Sequence, residues 1–434
     1  MNQRQFNVFS RKLNDALAPE ILDTLGKQTG FCQRQRLLSP HQLFLCLVTT
    51  MACEKTETIA DIQRRCVEWT QQDMTYRALY AQLSREAFPI FLRQALSQLL
   101  RQWIAPSQAF AQHSPYRRFT RVLIQDGSSF AVHNDLSTVY PGRFNAVNPA
   151  AVELHVTMDL LADQPCKIVL TPDTASERDY LPPVESLKSD LILVDRGYFD
   201  LDWFARLSEA GGHCIARCLN GVNPTVEQAW SESGRQLRFA KGSQLKDIEH
   251  KLLKRKRTEV QVRWQLPGKR TFRARLIACW NPEEQRHSWL LTTLPREDFS
   301  VAEVSDGYRL RWQLELLFKE WKSYANLHRF NTVNPAIAEG LIWASIAAAV
   351  LKRFLCLNTQ ALVGHALSTR RVAMCAASTI TQLMGHLIAQ RPQAVRATLR
   401  QLVEYLGNYA RRANPKRDRK TGRAMLGLEA IGYA

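Results

Sequence analysis

The sequence is short of acids, of long apolar runs and of paired cysteines. Asp and Glu number 40 against 58 Lys and Arg, which leaves a formal charge of +18 and a pI near 9.7. Such an excess favours a polyanionic partner, because each neutralised phosphate releases condensed counterions. Membrane surfaces are anionic too, so charge alone does not choose nucleic acid. The longest apolar runs, residues 43–53 and 341–351, fall short of the roughly 18 residues that a membrane span needs. Both are expected to be buried helices, with no membrane partner. The start, Met1-Asn2-Gln3-Arg4-Gln5-Phe6, has no apolar signal core, so a cytoplasmic setting is expected. Ten cysteines are scattered through the chain, mostly in apolar segments. Only Cys214 and Cys218 are close, with no second pair to complete a zinc site, so reduced core thiols are expected. Internal repeats and low-complexity stretches are absent as well.

With 434 residues, 45% of them hydrophobic, the chain can bury a sizeable core and has the length of two or three structural domains. Residues 1–115 read as a helical, DNA-binding region. Ser39-Pro40 is a helix start, with a cap followed by proline in the first turn. Two short helices, near Thr58-Ile59-Ala60-Asp61-Ile62 and over 75–83, fit either a helix-turn-helix or an ordinary bundle. Residues 116–330 read as an α/β region with a mixed sheet. Its expected strands are Thr120 to Asp126, Val152 to Asp159, Cys166 to Leu170, Asp190 to Asp195 and Cys214 to Leu219, with a helix over 199–210. The run Leu191-Ile192-Leu193-Val194 is almost wholly apolar, as expected for a strand covered on both faces. Between about 220 and 300, Glu259 to Trp264 and Thr271 to Leu276 alternate apolar and polar around Pro267-Gly268. This is a hairpin signal, and the segment reads as a β-rich insertion in the α/β core. Residues 331–434 read as helical again, ending in a basic segment with Arg411-Arg412, Lys416-Arg417 and Arg419-Lys420. The run 341–351, followed by Lys352-Arg353, fits either core packing or a surface that pairs two protomers.

Two acids close apolar strands. Asp126 is followed by Gly127-Ser128-Ser129, and Asp195 by Arg196-Gly197-Tyr198. Strand ends are where α/β folds build their sites, although an Asp there also simply starts turns. At about 100° per residue, Tyr308, Arg311, Trp312, Glu315, Lys319 and Lys322 share one helix stripe, with Leu310, Leu314, Leu317 and Trp321 opposite. One face is thus expected to bury, while the other presents an acid among bases and aromatics. A solvated face with Glu315-Lys319 pairing is the plainer alternative.

The spacing Tyr308-x2-Arg311-x3-Glu315-x6-Lys322 resembles the Tyr-Arg-Glu-Lys (YREK) signature of DDE transposases of the fourth insertion-sequence family. Asp126-Gly127 and Asp195-Arg196-Gly197-Tyr198 resemble that family's first and second acidic motifs, and the resemblance spans about 118–325. It implies an RNase H-like core with a β-strand insertion between the second Asp and the Glu. It also implies a cut-and-paste transposase that works through a hairpin at the element end, on double-stranded DNA of the bacterial nucleoid, as a homodimer on paired ends. The implied ligands are Asp126, Asp195 and Glu315, holding two Mg²⁺ ions that Mn²⁺ can replace. Tyr308, Arg311 and Lys322 would grip phosphates, with Trp312 and Lys319 beside them on the DNA-facing stripe. Trp289 resembles a tryptophan that stacks on a flipped base, although its apolar neighbours equally fit a core strand.

The metal expectation also follows from charge. Two carboxylates 4 Å apart repel by about 4 kcal/mol at an effective dielectric near 20, a cost that a divalent cation removes. Oxygen-only ligands suit Mg²⁺ or Mn²⁺ rather than zinc. Two other readings stay open: an inactive DNA-binding regulator of a related element, and a nuclease of the same fold that does not join strands.

Overall fold

The computed structural model describes residues 2–34, 37–53, 58–103, 107–144, 146–252, 256–327, 331–412 and 428–430. The expected basic residues Lys416, Arg417, Arg419 and Lys420 lie outside them. Helices α1 to α6 span Gln3–Ala16, Pro19–Gln28, Pro40–Cys53, Ile59–Thr70, Tyr76–Leu83 and Ala87–Trp103. Their starts follow local chemistry. Ser39 Oγ accepts from the Gln42 N–H, and the Gln42 side chain accepts from the Ser39 N–H. Thr58 and Asp61 form a reciprocal capping box at α4, and Thr75 caps α5, each satisfying N–H groups that the helix leaves open.

The next elements are β1 (Gln108–Phe110), β2 (Val122–Ala131), β3 (Ala151–Asp159), β4 (Gln164–Pro172), β5 (Leu191–Val194), α7 (Leu201–Glu209) and β6 (His213–Arg217). After these come β7 (Thr225–Ser231), α8 (Leu245–Glu249), β8 (Thr258–Gln265), β9 (Thr271–Asn281) and β10 (Arg286–Thr292). Helix α9 (Val301–Tyr308) runs through a 3₁₀ turn at Arg309–Arg311 into α10 (Trp312–Tyr324). Helices α11 to α14 cover Pro335–Val363, Thr369–Cys375, Ala377–Ile388 and Pro392–Tyr409, and β11 (Leu428–Ala430) pairs with β1.

Among the described residues, one mixed sheet of nine strands has the order β4-β3-β2-β5-β6-β10-β9-β8-β7. Strand β3 runs antiparallel to both of its neighbours, β2 and β4, whereas β5 and β6 run parallel to β2. The segment between β6 and α9 extends this same sheet antiparallel from β10 outward. Side chains alternate across a strand, and that alternation divides the interior. Val122, Ile124, Leu191 and Leu193 face the helical core, whereas Leu123, Ile192 and Val194 face a second core with α7.

The first and last helical regions form one layer, for α11 packs on α3 and α6, and α13 packs on α3. Residues 341–351 are buried throughout in this layer, so the stretch that also suited a pairing surface is core. Helix α11 is long and apolar enough by length and composition to cross a membrane, but 94% of its apolar window is buried inside the fold.

Candidate active site

The register of two parallel strands brings the first acids together. Gln125 on β2 lies opposite Val194 on β5, so Asp126 and Asp195 occupy the next step on each. Strand alternation gives Asp126 the face of Ile124, and Asp195 the face of Leu193, both toward the helical core. Helix α10 packs there against β2, held by the buried Leu314, Leu317, Phe318 and Trp321.

The 3₁₀ turn tightens the helix to about three residues per turn, which aligns Tyr308 with Arg311. The Tyr308 hydroxyl donates to Asp195 Oδ1 at 2.9 Å. Arg311 Nη1 donates to Asp126 Oδ2, and its Nη2 to Glu315 Oε1 at 2.7 Å. Lys322 Nζ donates to Ser128 Oγ and to the Ser129 carbonyl, both at 2.9 Å. The structure therefore gathers Asp126, Asp195, Glu315, Tyr308, Arg311 and Lys322. It does not bring the rest of the stripe with them. Trp312 is 50% exposed, and Lys319 Nζ sits 5.1 Å from the centre of its ring. Trp289 is buried on the other face of the sheet with Leu291 and Ala278, its indole N–H 3.4 Å from Glu249 Oε1.

Burial pushes the Asp126 carboxyl up to about 7, against the pull of Arg311. Burial acts the same way on Asp195, but Arg311, the Arg196 N–H, the Tyr308 hydroxyl and Arg217 together outweigh it and leave the group below its ordinary value. Burial lowers Lys322. Neighbouring carboxylates thus take opposite shifts: at Asp126 burial, with the repulsion of Asp195 and Glu315, prevails over its favourable partners, and at Asp195 the favourable partners prevail over burial.

Sequence reading missed a polar network on the far side of Asp126. Arg143 reaches Glu153 Oε2 at 3.5 Å and Glu177 Oε1 at 4.0 Å, and its N–H donates to Asp173 at 3.0 Å. Glu153 is 4% exposed and is pushed up to about 7 by burial and then by Glu177. Gly127 leaves the room its carboxylate needs, because a Cβ there would meet it. The available signal was an acid inside a strand buried on both faces, since such acids are rarely unpaired. Beside Tyr308 opens a cavity of about 850 Å³, lined among others by Arg217, Arg257, Trp280, Tyr308 and Arg309.

A second missed residue is Gly307, next to Tyr308. A methyl there would lie 2.8 Å from Cζ of the fully buried Tyr116, whose hydroxyl donates to the Glu303 carbonyl. Gly307→Ala is expected to destabilise the chain by about 1–3 kcal/mol through overpacking, and to lower activity further by tilting Tyr308 and Arg311. Denaturant unfolding beside an activity assay checks this, and wild-type values in both would refute the close-packing role.

The profile of the family described as "Transposase DDE domain" matches residues 117–351, more than half of the chain. The transposase for insertion sequence element IS231C of Bacillus thuringiensis subsp. berliner is 23% identical over 392 residues, 82% of this chain and 80% of its own. The transposase for insertion sequence element IS1151 of Clostridium perfringens is 22% identical over 248 residues, 50% of this chain and 52% of its own. Among solved structures, a piggyBac transposase synaptic complex with hairpin DNA aligns with a TM-score of 0.44 at 10% identity, over 84% of this chain and 75% of that one. The matched span runs from the strand before Asp126 through Glu315 into α11, and the chain belongs to the transposase DDE-domain family.

Proposed function

We propose that the chain cuts the ends of an insertion sequence and joins them to target DNA, using divalent ions held by Asp126, Asp195 and Glu315. The observation that carries this reading is the convergence of three carboxylates, from β2, the end of β5 and α10, on two neighbouring side chains: Arg311 bonds Asp126 and Glu315, and Tyr308 bonds Asp195. The strand order β4-β3-β2-β5-β6 supports an RNase H-like core, with the strands after β6 as its insertion. The donor set fits Mg²⁺ or Mn²⁺, because every donor is a carboxylate oxygen and the site already accommodates a cation, Arg311. As the side chains stand, no group of three acidic, imidazole or thiol ligands is arranged to hold an ion among the described residues. Two ions would supply Lewis acidity to the attacking and leaving oxygens of an in-line displacement.

The protein's own groups do the rest. Tyr308 holds Asp195 by its hydroxyl, and Lys322 braces the part of β2 that follows Asp126. Arg311, Lys322, Lys319 and the exposed Trp312 form the DNA-facing surface of α10 in this reading. The exposed Tyr76 and Arg77 of α5 suit a groove contact. Trp289 is the candidate platform for a base flipped out as the end folds into a hairpin. Stacking recovers roughly 1–3 kcal/mol per base, but the ring must first leave its buried position. Pairing of two protomers on two ends falls to surfaces other than 341–351, and the setting is the nucleoid.

Incubating the chain with DNA carrying its own element's ends and Mn²⁺, then mapping products, tests the reading. Nicked, hairpin and joined products support it. Cleavage without joining supports a simple nuclease, and specific binding without cleavage an inactive regulator. Log affinity for the ends is expected to fall linearly with log salt, with a slope near −0.9 per phosphate contact. A flat response in a titration would refute the phosphate contacts.

A further inference from the structure

Arg311 stands where an ion would have to bind. Its guanidinium spans Asp126 and Glu315, its side chain is 12% exposed, and the field of Asp126 and Asp195 stabilises its charge. Two of its nitrogens take the lone pairs that a metal would use. A guanidinium and a hydrated dication cannot share those oxygens, since the two cations repel and the donors are already spent. Yet the arginine is not fully satisfied, because its Nε is buried with no hydrogen-bond partner. Phosphate is the better mate for the planar fork, accepting two parallel bonds. A route to one lies close by. The Tyr308 ring sits 5.8 Å from the guanidinium carbon and also lines the cavity with Arg217, Arg257 and Arg309. A DNA phosphate entering there would meet three arginines and offer Arg311 an exchange.

We propose that Arg311 is an internal cation that closes the carboxylate site until a DNA phosphate draws it out, so that metal loading depends on bound DNA. This rests on the reading of Asp126, Asp195 and Glu315 as metal ligands. The coupling is reciprocal: DNA raises metal affinity by the same factor by which metal raises DNA affinity. Without DNA the site stays closed, and the free protein carries little metal there.

The test is Mn²⁺ binding to the full chain, read from the free-ion signal in electron paramagnetic resonance, with Asp126→Asn variants marking the signal that belongs to this site. Without DNA, Arg311→Gln is expected to bind Mn²⁺ at least about tenfold tighter than wild type, with Arg311→Lys between them, a gap within the usual range of coupling. A duplex carrying the element's own end is expected to raise wild-type affinity by a similar factor and to leave Arg311→Gln unchanged. Wild-type affinity that DNA does not alter overturns the proposal, whatever the variants do. Equal binding by wild type and Arg311→Gln, both lost with Asp126→Asn, overturns the gate while the metal reading stands. Binding that Asp126→Asn does not weaken in any form overturns both.

Discussion

Asp126→Asn, Asp195→Asn and Glu315→Gln are each expected to lower end cleavage by about a thousandfold or more while leaving DNA binding intact. Each substitution keeps shape and removes one negative charge from the place where positive charge must be held. Losing a preorganised electrostatic partner of a transition state costs on the order of 10²–10³ in rate, and losing a metal ligand costs that and the ion's own contribution. The fold should survive. At Asp126 the sign can be worked out. Its folded-state carboxyl is raised to about 7 by burial, so its protonated form suits the fold better than its charged form. Its contribution is fully present below the ordinary carboxylate range and is lost as pH rises through about 7. Asp126→Asn removes that loss, so between pH 5 and pH 8 the variant should gain in thermal stability relative to wild type. Product mapping in Mg²⁺ and melting at the two pH values check both statements. Near-wild-type cleavage by any one variant removes that residue from the site.

How much of this site could be read in the sequence depended on the range of the interaction. Asp126 and Asp195 were legible because each follows a short apolar run, and strand ends in α/β sheets gather side chains. Asp195 does follow the end of β5, whereas β2 continues past Asp126 to Ala131, so Asp126 lies inside its strand rather than closing it. The buried side of α10 was legible from its 3.6-residue period, and Leu314, Leu317 and Trp321 are buried. The opposite side divides in a way the helical period alone does not foretell: Tyr308, Arg311 and Lys322 bond to groups on β2 and at the end of β5, while Trp312 stays exposed as expected. Glu153 carried a signal, an acid inside an apolar strand, but nothing local names Arg143 as its partner, because the connection between β2 and β3 must first fold back on β3. The run 341–351 was ambiguous for the same reason. Its partners α3 and α6 lie hundreds of residues away, and an apolar helix face does not say whether its cover comes from its own chain.

Arg353→Met is expected to cost about 3–5 kcal/mol of stability, the range for removing one partner of a buried ion pair. Arg353 follows the apolar run of α11 and is only 6% exposed. Its Nε donates to the Asp163 carbonyl, and its Nη2 to Asp163 Oδ1 at 2.8 Å. Its Nη1 lies 3.8 Å from Glu320 Oε2. The neighbouring Lys352 Nζ donates to the Tyr324 carbonyl at the end of α10, at 2.8 Å. These two cations therefore fasten α10 to α11, and Arg353 also holds the turn between β3 and β4. Methionine keeps the aliphatic bulk but leaves the Glu320 charge in a low-dielectric interior, where an uncompensated carboxylate is costly. Glu320→Gln in the same chain is then expected to recover part of the loss, since the amide needs no counter-charge. Activity should fall with stability, because Glu315 sits five residues from Glu320 on the same helix and depends on how that helix is seated. Denaturant unfolding of the wild type, Arg353→Met and the double variant measures the coupling. A loss under about 1 kcal/mol, the scale of a solvated pair, would mean that α10 is held by its apolar face alone.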